Sequence, residues 1–167
     1  PEYTHTNTNL DSSYSVITSD DPSSVVSECY KKLRTSIDYS NFDKKIQVVN
    51  VTSTKVHEGK TDTCLNLATV YSQMDKKVLI IDMNLRNPSI HNTFNIPNTS
   101  GVTDYVENGG DITKQTQSIN ENLDVLVAGE KAFYPAELLQ SEDTNNMMQE
   151  LRGIYDMIII DCPPLLH

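Results

Sequence analysis

Residues 46–74 read IQVVNVTSTKVHEGKTDTCLNLATVYSQM, and this stretch decides the fold. Residues 46–53 form an apolar run broken only by Gln47, Asn50 and the closing Thr52 and Ser53, which predicts a buried strand. Residues 61–74 predict a helix, with Cys64, Leu65, Leu67, Ala68, Val70 and Tyr71 covering most of its circumference. A helix apolar on most sides belongs on the face of a parallel sheet. Between strand and helix stands Gly59-Lys60-Thr61. A loop in that position can cradle phosphate, because the helix start behind it offers free N–H groups and the positive end of the dipole. Lys60 has the reach for β- and γ-phosphates, and the Thr61 hydroxyl is a candidate Mg²⁺ ligand.

Two more apolar strands extend the pattern. Residues 77–82 (KVLIID) and 157–161 (MIIID) each close on a carboxylate, Asp82 and Asp161. Acids at the carboxyl ends of strands beside a phosphate loop can hold a divalent cation directly or through water. Residues 123–128 predict a further strand. Residues 84–98 are read as irregular, with Pro88 and Pro97 as breakers, and 101–107, 135–139 and 143–152 as helices, the last stopped by Gly153. Upstream, Asp21 as N-cap and Pro22 at the first helical position predict a helix to Tyr39 with Val26, Tyr30, Leu33 and Ile37 as its packed stripe. Strand and helix in alternation give an α/β fold with a doubly wound, mostly parallel sheet.

Composition narrows the function. The 167 residues carry 13 basic and 23 acidic side chains, a net charge of −10, which argues against a nucleic-acid partner. The apolar runs reach only four residues where a membrane span needs about 20, and no secretory leader opens the chain. The first residue is Pro1, as expected of a fragment. Cys29, Cys64 and Cys162 are widely spaced and form no C-x-x-C pair, the pattern of reduced thiols rather than of a zinc site or disulfide framework. Residues 1–20, rich in Thr, Ser, Asn and Asp, read as a flexible tail, and 21–167 as one domain. The histidines show no metal-ligand spacing, and His91 has packing or capping as its default role.

The segments SECYKKLRTSIDYSN, VTSTKVHEGKT, KVLIIDMNLRNPSIHNTF, NLDVLVAGE, YPAELLQS and YDMIIIDCPPLL occur in this order. As an ordered set they resemble the bacterial tyrosine kinases (BY-kinases) of the CpsD/CapB/Wzc type, from residue 23 to the end. The resemblance implies a P-loop NTPase fold related to MinD and ParA. It implies ATP, Mg²⁺ and phosphoryl transfer to tyrosine in capsule or exopolysaccharide synthesis.

In its terms His57, Glu58, Gly59, Lys60, Thr61 and Asp62 hold the nucleotide, and Lys60, Asp82 and Asp161 are the catalytic set. Thr61, Asp82 and Asp161 hold the metal, with Asp82 also taking the tyrosine proton. Glu28, Lys31 and Arg34 match the helix motif that joins subunits into a ring, with Lys31 in place of its first Arg. The implied partners are a transmembrane activator and tyrosine-bearing proteins, and the implied location is the cytoplasmic face of the membrane.

The sequence also departs from the family pattern. Thr54 replaces the first glycine of the loop, His57 a second, and Asn84 the second acid after the KVLIID strand. The chain ends just past the MIIID strand, so the domain is expected to be truncated, with strand 46–53 near a sheet edge. The family's C-terminal tyrosine cluster has no counterpart, leaving Tyr3 and Tyr14 as accessible tyrosines. These departures keep a weak or inactive relative, serving as a regulatory binding module, open as an alternative. Lys55, five residues before Lys60, keeps open a dimerising MinD/ParA-like ATPase.

Overall fold

The computed structural model describes residues 16–40, 45–132 and 134–166. In chain order the elements are α1 (Ile17–Asp20), α2 (Val25–Tyr39), β1 (Val48–Val51), α3 (Lys60–Ser72), β2 (Val78–Asp82), α4 (Ile90–Thr93) and α5 (Val102–Asn108). A 3₁₀ turn (Ile112–Lys114), β3 (Gln117–Asn120), β4 (Leu123–Leu126), α6 (Pro135–Leu139), α7 (Glu142–Ile154) and β5 (Met157–Asp161) follow.

The five strands run in the order β1-β5-β2-β4-β3, all parallel except β3, which is antiparallel to β4. The two strands with unbroken apolar runs, β2 and β5, lie inside the sheet and are buried along their whole length. Helices on both faces remove any polar side from such strands, so alternation disappears from their sequence. The sheet's side chains still alternate between two cores. Val78, Ile80, Met157 and Ile159 pack under α3, while Leu79, Ile81, Ile158 and Ile160 pack against α5 and α7 through Tyr105, Met147 and Leu151. β1 lies at the sheet edge and is only half-buried, as its expected position requires.

α3 is enclosed by the sheet below and by α1 and α2 above. Thr18 of α1 is fully buried; its N–H and hydroxyl both donate to the Asn66 side chain at 3.0 Å. Gln73 Nε2 donates to the Thr18 carbonyl. Residues 17–20, expected to belong to a flexible tail, are therefore packed into the fold, and residues 1–15 lie outside the described residues.

α2 corrects the sequence reading twice. Its N-cap is Ser24, whose hydroxyl accepts from the Ser27 N–H; Asp21 instead caps a turn by accepting from Ser23. Its inward face is Ser27, Tyr30, Arg34 and Ile37, while Val26 and Leu33 are exposed. Ser27 and Arg34 can face inward because each has a carbonyl to satisfy it: Asp21 for Ser27 at 2.6 Å and Val70 for Arg34 at 2.9 Å. α4 interrupts the segment expected to be irregular, and β3 was absent from the sequence reading. α7 runs one residue past Gly153, the expected stop.

Gly101, just before α5, sits against the end of β4. A β-carbon there would lie 2.1 Å from the Val127 carbonyl oxygen and 2.7 Å from the Gly129 nitrogen. Both neighbours are backbone, and the same region pairs the Val102 and Thr103 N–H groups with the Val127 and Ala128 carbonyls. Gly101→Ala is expected to destabilise the fold by about 3 kcal/mol in urea denaturation, because neither backbone can retreat without losing those bonds.

Candidate functional site

The loop between β1 and α3 opens at the carboxyl end of the sheet. Gly59 is the N-cap of α3 with φ 80°, and His57 has φ 61°. His57, which stands in place of a second loop glycine, takes a left-handed backbone. A β-carbon in that conformation costs about 1 kcal/mol, a strain that glycine does not carry.

Lys60 and Thr61 occupy the first turn of α3. A cleft of about 480 Å³ is lined by His57, Gly59, Lys60, Thr61, Asn84 and Ser89. A second groove, of about 460 Å³, lies on the other side of Lys60 against Thr52, Ser53, Thr54 and Glu58. Asp62 is exposed at the mouth of the first.

Asp82 and Asp161 are register partners at the ends of adjacent parallel strands, and both are fully buried. Asp82 accepts three backbone N–H bonds, from Asn84 and Ser89 at 3.0 Å and from Ile90 at 3.1 Å. Those bonds fold the segment after β2 around the carboxylate. Burial raises the Asp82 pKa to about 6, assisted by the charge of Asp161, and the three N–H groups only partly offset this. Asp161 Oδ2 accepts from the Thr61 hydroxyl at 2.6 Å, whereas its Oδ1 is buried without a hydrogen-bond partner. Burial pushes Asp161 up; the Thr61 bond and the Lys60 ammonium pull it down.

The structure thus brings Lys60, Thr61, Asp82 and Asp161 to one place, as the sequence reading required. An orphaned carboxylate oxygen, a hydroxyl beside it and a second acid on the next strand form an oxygen-only donor set, the kind that suits Mg²⁺. The residues present therefore fit a nucleotide-bound divalent cation.

The sequence reading missed Ser89 and Asn87, which also line the cleft. Ser89 holds Asp82 through its N–H and places its hydroxyl 3.4 Å from that of Thr61. A Ser at the start of a helix following a strand-ending acid was the available signal. Asn84, where the family has an acid, donates its amide to the Asn87 carbonyl at 2.9 Å. An aspartate there could not make that bond.

The second set, Glu28, Lys31 and Arg34, lies on α2, outside this cluster. Lys31 pairs with Glu28 at 2.8 Å and donates to the Pro22 carbonyl, and Arg34 is committed to Val70. The Lys31 ammonium holds the Glu28 carboxyl below its usual value. Cys29, Cys64 and Cys162 are all free thiols. No helix among the described residues is long and apolar enough to cross a membrane.

His57→Gly removes both the strain and an imidazole from the cleft. With the side chain gone the backbone can approach the phosphates more closely, and Mg·ATP binding is expected to tighten about fivefold by titration calorimetry, the equivalent of about 1 kcal/mol. Stability is expected to change little, since the relieved strain is offset by the chain entropy of glycine.

Comparison with known proteins fits this geometry. The AAA domain family matches residues 45–167. The chain is 40% identical over 152 residues to tyrosine-protein kinase YwqD of Bacillus subtilis, covering 90% of this chain and 64% of that protein. The chain therefore spans just under two thirds of the length of that curated relative. Among solved structures, the VpsO kinase domain is 34% identical with a TM-score of 0.72, over 86% of this chain and 74% of that one. The chimerical protein CapA2B2 is 32% identical with a TM-score of 0.85, over 90% and 66%. MinD of Pyrococcus horikoshii, at 23% identity and TM-score 0.60 over 72% and 50%, shares the fold.

Proposed function

Since the chain belongs to the bacterial tyrosine kinase family, we propose that it is an ATP- and Mg²⁺-dependent protein tyrosine kinase acting in capsule or exopolysaccharide synthesis. One observation carries the reading. Asp161, in register with Asp82, is hydrogen-bonded to the Thr61 hydroxyl one residue after Lys60, and keeps a buried oxygen free.

Thr61, Asp161 and Asp82 would hold the cation, and its charge offsets that of the transferred phosphoryl group. Lys60 neutralises and orients the terminal phosphates at the start of α3. The backbone of residues 57–61 surrounds them. Asp82, raised to about 6 by its burial and ionised at physiological pH, takes the proton of the acceptor tyrosine. Burial of both acids excludes water, which strengthens each of these interactions.

The proposal extends to partners. The acceptors are tyrosines of this protein and of polysaccharide-synthesis proteins, and Tyr3 and Tyr14 lie outside the described residues. The activator is the cytoplasmic tail of a transmembrane protein, which places the kinase at the inner face of the membrane. Self-association runs through α2, whose Glu28–Lys31 pair and exposed Val25, Val26 and Leu33 face outward.

The test is phosphotyrosine formation with ATP, Mg²⁺ and an activator tail. ATP hydrolysis without phosphotyrosine would identify a MinD/ParA-like ATPase. A chain that binds no nucleotide would be a regulatory binding module, the reading that His57, Thr54 and the amide of Asn84 favour.

A further inference from the structure

The loop holds one contact that the phosphate-binding reading does not use. Glu58 Oε2 accepts from the Thr54 N–H at 2.9 Å and from the Lys55 N–H at 3.1 Å. On the other side of the same residue, the Ser53 hydroxyl donates to the Lys55 carbonyl at 2.6 Å. The Lys55 residue is therefore fixed at both ends, by side chains from either side of it. We propose that Glu58 is a positioning residue of the nucleotide loop, a staple that sets the loop's entry before any phosphate arrives.

The inference rests on the nucleotide-binding reading. Its physical basis is the missing glycine. Loops of this type normally begin on Gly, whose freedom lets the backbone settle around the phosphates. Here Thr54 stands at that position, and the loop must hold both His57 and Gly59 in left-handed conformations. Ordering such a loop at the moment of binding would draw on the binding energy. A carboxylate that ties residue 58 back to residues 54 and 55 closes the turn in advance, leaving the Gly59–Thr61 end to face the ligand. Charge-assisted bonds suit this task, being stronger than neutral ones.

An opposite effect competes with it. A carboxylate near a phosphate site repels the ligand, and if repulsion dominates, removing the charge will tighten binding. The two effects give opposite signs, so substitutions separate them. Glu58→Gln keeps an acceptor oxygen and loses the charge, whereas Glu58→Ala loses both. If Glu58 is a staple, Glu58→Ala weakens Mg·ADP binding about tenfold by calorimetry, and Glu58→Gln stays within about threefold of wild type. In the kinase assay the Ala variant raises KM for ATP and leaves kcat unchanged, since Glu58 acts on the loop and not on the transferred group.

Amide exchange without nucleotide supplies an independent readout. The Thr54 and Lys55 amides are protected in wild type and Gln, and exchange about tenfold faster in Ala. An Ala variant that binds Mg·ADP as well as wild type, or a Gln variant that binds more tightly, overturns the proposal. So does an unchanged exchange rate at Thr54 and Lys55. A wild type that binds no nucleotide removes the nucleotide reading together with the positioning role, and protected amides alone would then mark a purely structural turn.

Discussion

Lys60→Ala is expected to slow tyrosine phosphorylation about 10³-fold while the protein melts within about 2 °C of wild type. The two expectations come from one geometry. Lys60 heads α3 between the two cavities, so its ammonium is placed for a ligand's phosphates rather than for the fold. The next residue, Thr61, donates to Asp161 at 2.6 Å, which puts cation and acid in one site. Lys60→Arg should not restore activity, because a planar fork cannot replace a point charge at the mouth of a helix. Quantitative phosphotyrosine detection under saturating ATP, beside a thermal melt, measures both. A variant with full activity would end the assignment of phosphate binding to this loop.

Asp161→Asn is expected to make the nucleotide-free protein more stable and to reduce the phosphorylation rate by about 10³-fold. The wild-type carboxylate is fully buried, with one oxygen on Thr61 and one unpaired. The amide oxygen can still accept from Thr61, and the buried charge is gone. A rise of about 2–5 °C in melting temperature is the expected scale.

The effect should depend on pH. Asp82, at about 6, and Asp161 both have folded values above the usual carboxylate range. From about pH 4 to 6 the native state therefore binds more protons than the unfolded chain. Their contribution to stability is present in acid and lost as pH rises through the folded values. For Asp82 that loss is about 3 kcal/mol. The stability difference between Asp161→Asn and wild type should accordingly grow as pH rises above the usual carboxylate range, as read by urea denaturation across a pH series. Mg·ADP should close the gap at the upper end of the series, because the cation binds the wild-type carboxylates and not the amide. A gap that does not change across the series would mean that burial does not raise Asp161.

The sheet and the main site were legible because their chemistry is written in contiguous residues. VLIID and MIIID read as apolar strands, and their terminal acids share the carboxyl end of the sheet with Lys60-Thr61. The replacement of a loop glycine by His57 was visible in the sequence, and its left-handed backbone required coordinates. What stayed hidden depends on partners far along the chain. β3, with Gln117, Ser118 and Asn120, has little apolar signal and is held by pairing with β4. The face of α2 was misjudged because Ser27 and Arg34 find backbone carbonyl acceptors that no local pattern announces. α1 is one turn long, and its bonds to Asn66 and Gln73 reveal it. Glu58 was placed in the nucleotide loop, but its backward bond to Thr54 and Lys55 required coordinates.

The outer layer has a mechanical consequence. α3 spans from Lys60 at one end to the region gripped by Arg34 at Val70 and by Asp38 at Tyr71, a rod about 15 Å long. Packed helices transmit displacement with little compression. Anything that tilts the α1–α2 pair thus tilts the rod, and the ammonium at its far tip swings through the place where charge must be met.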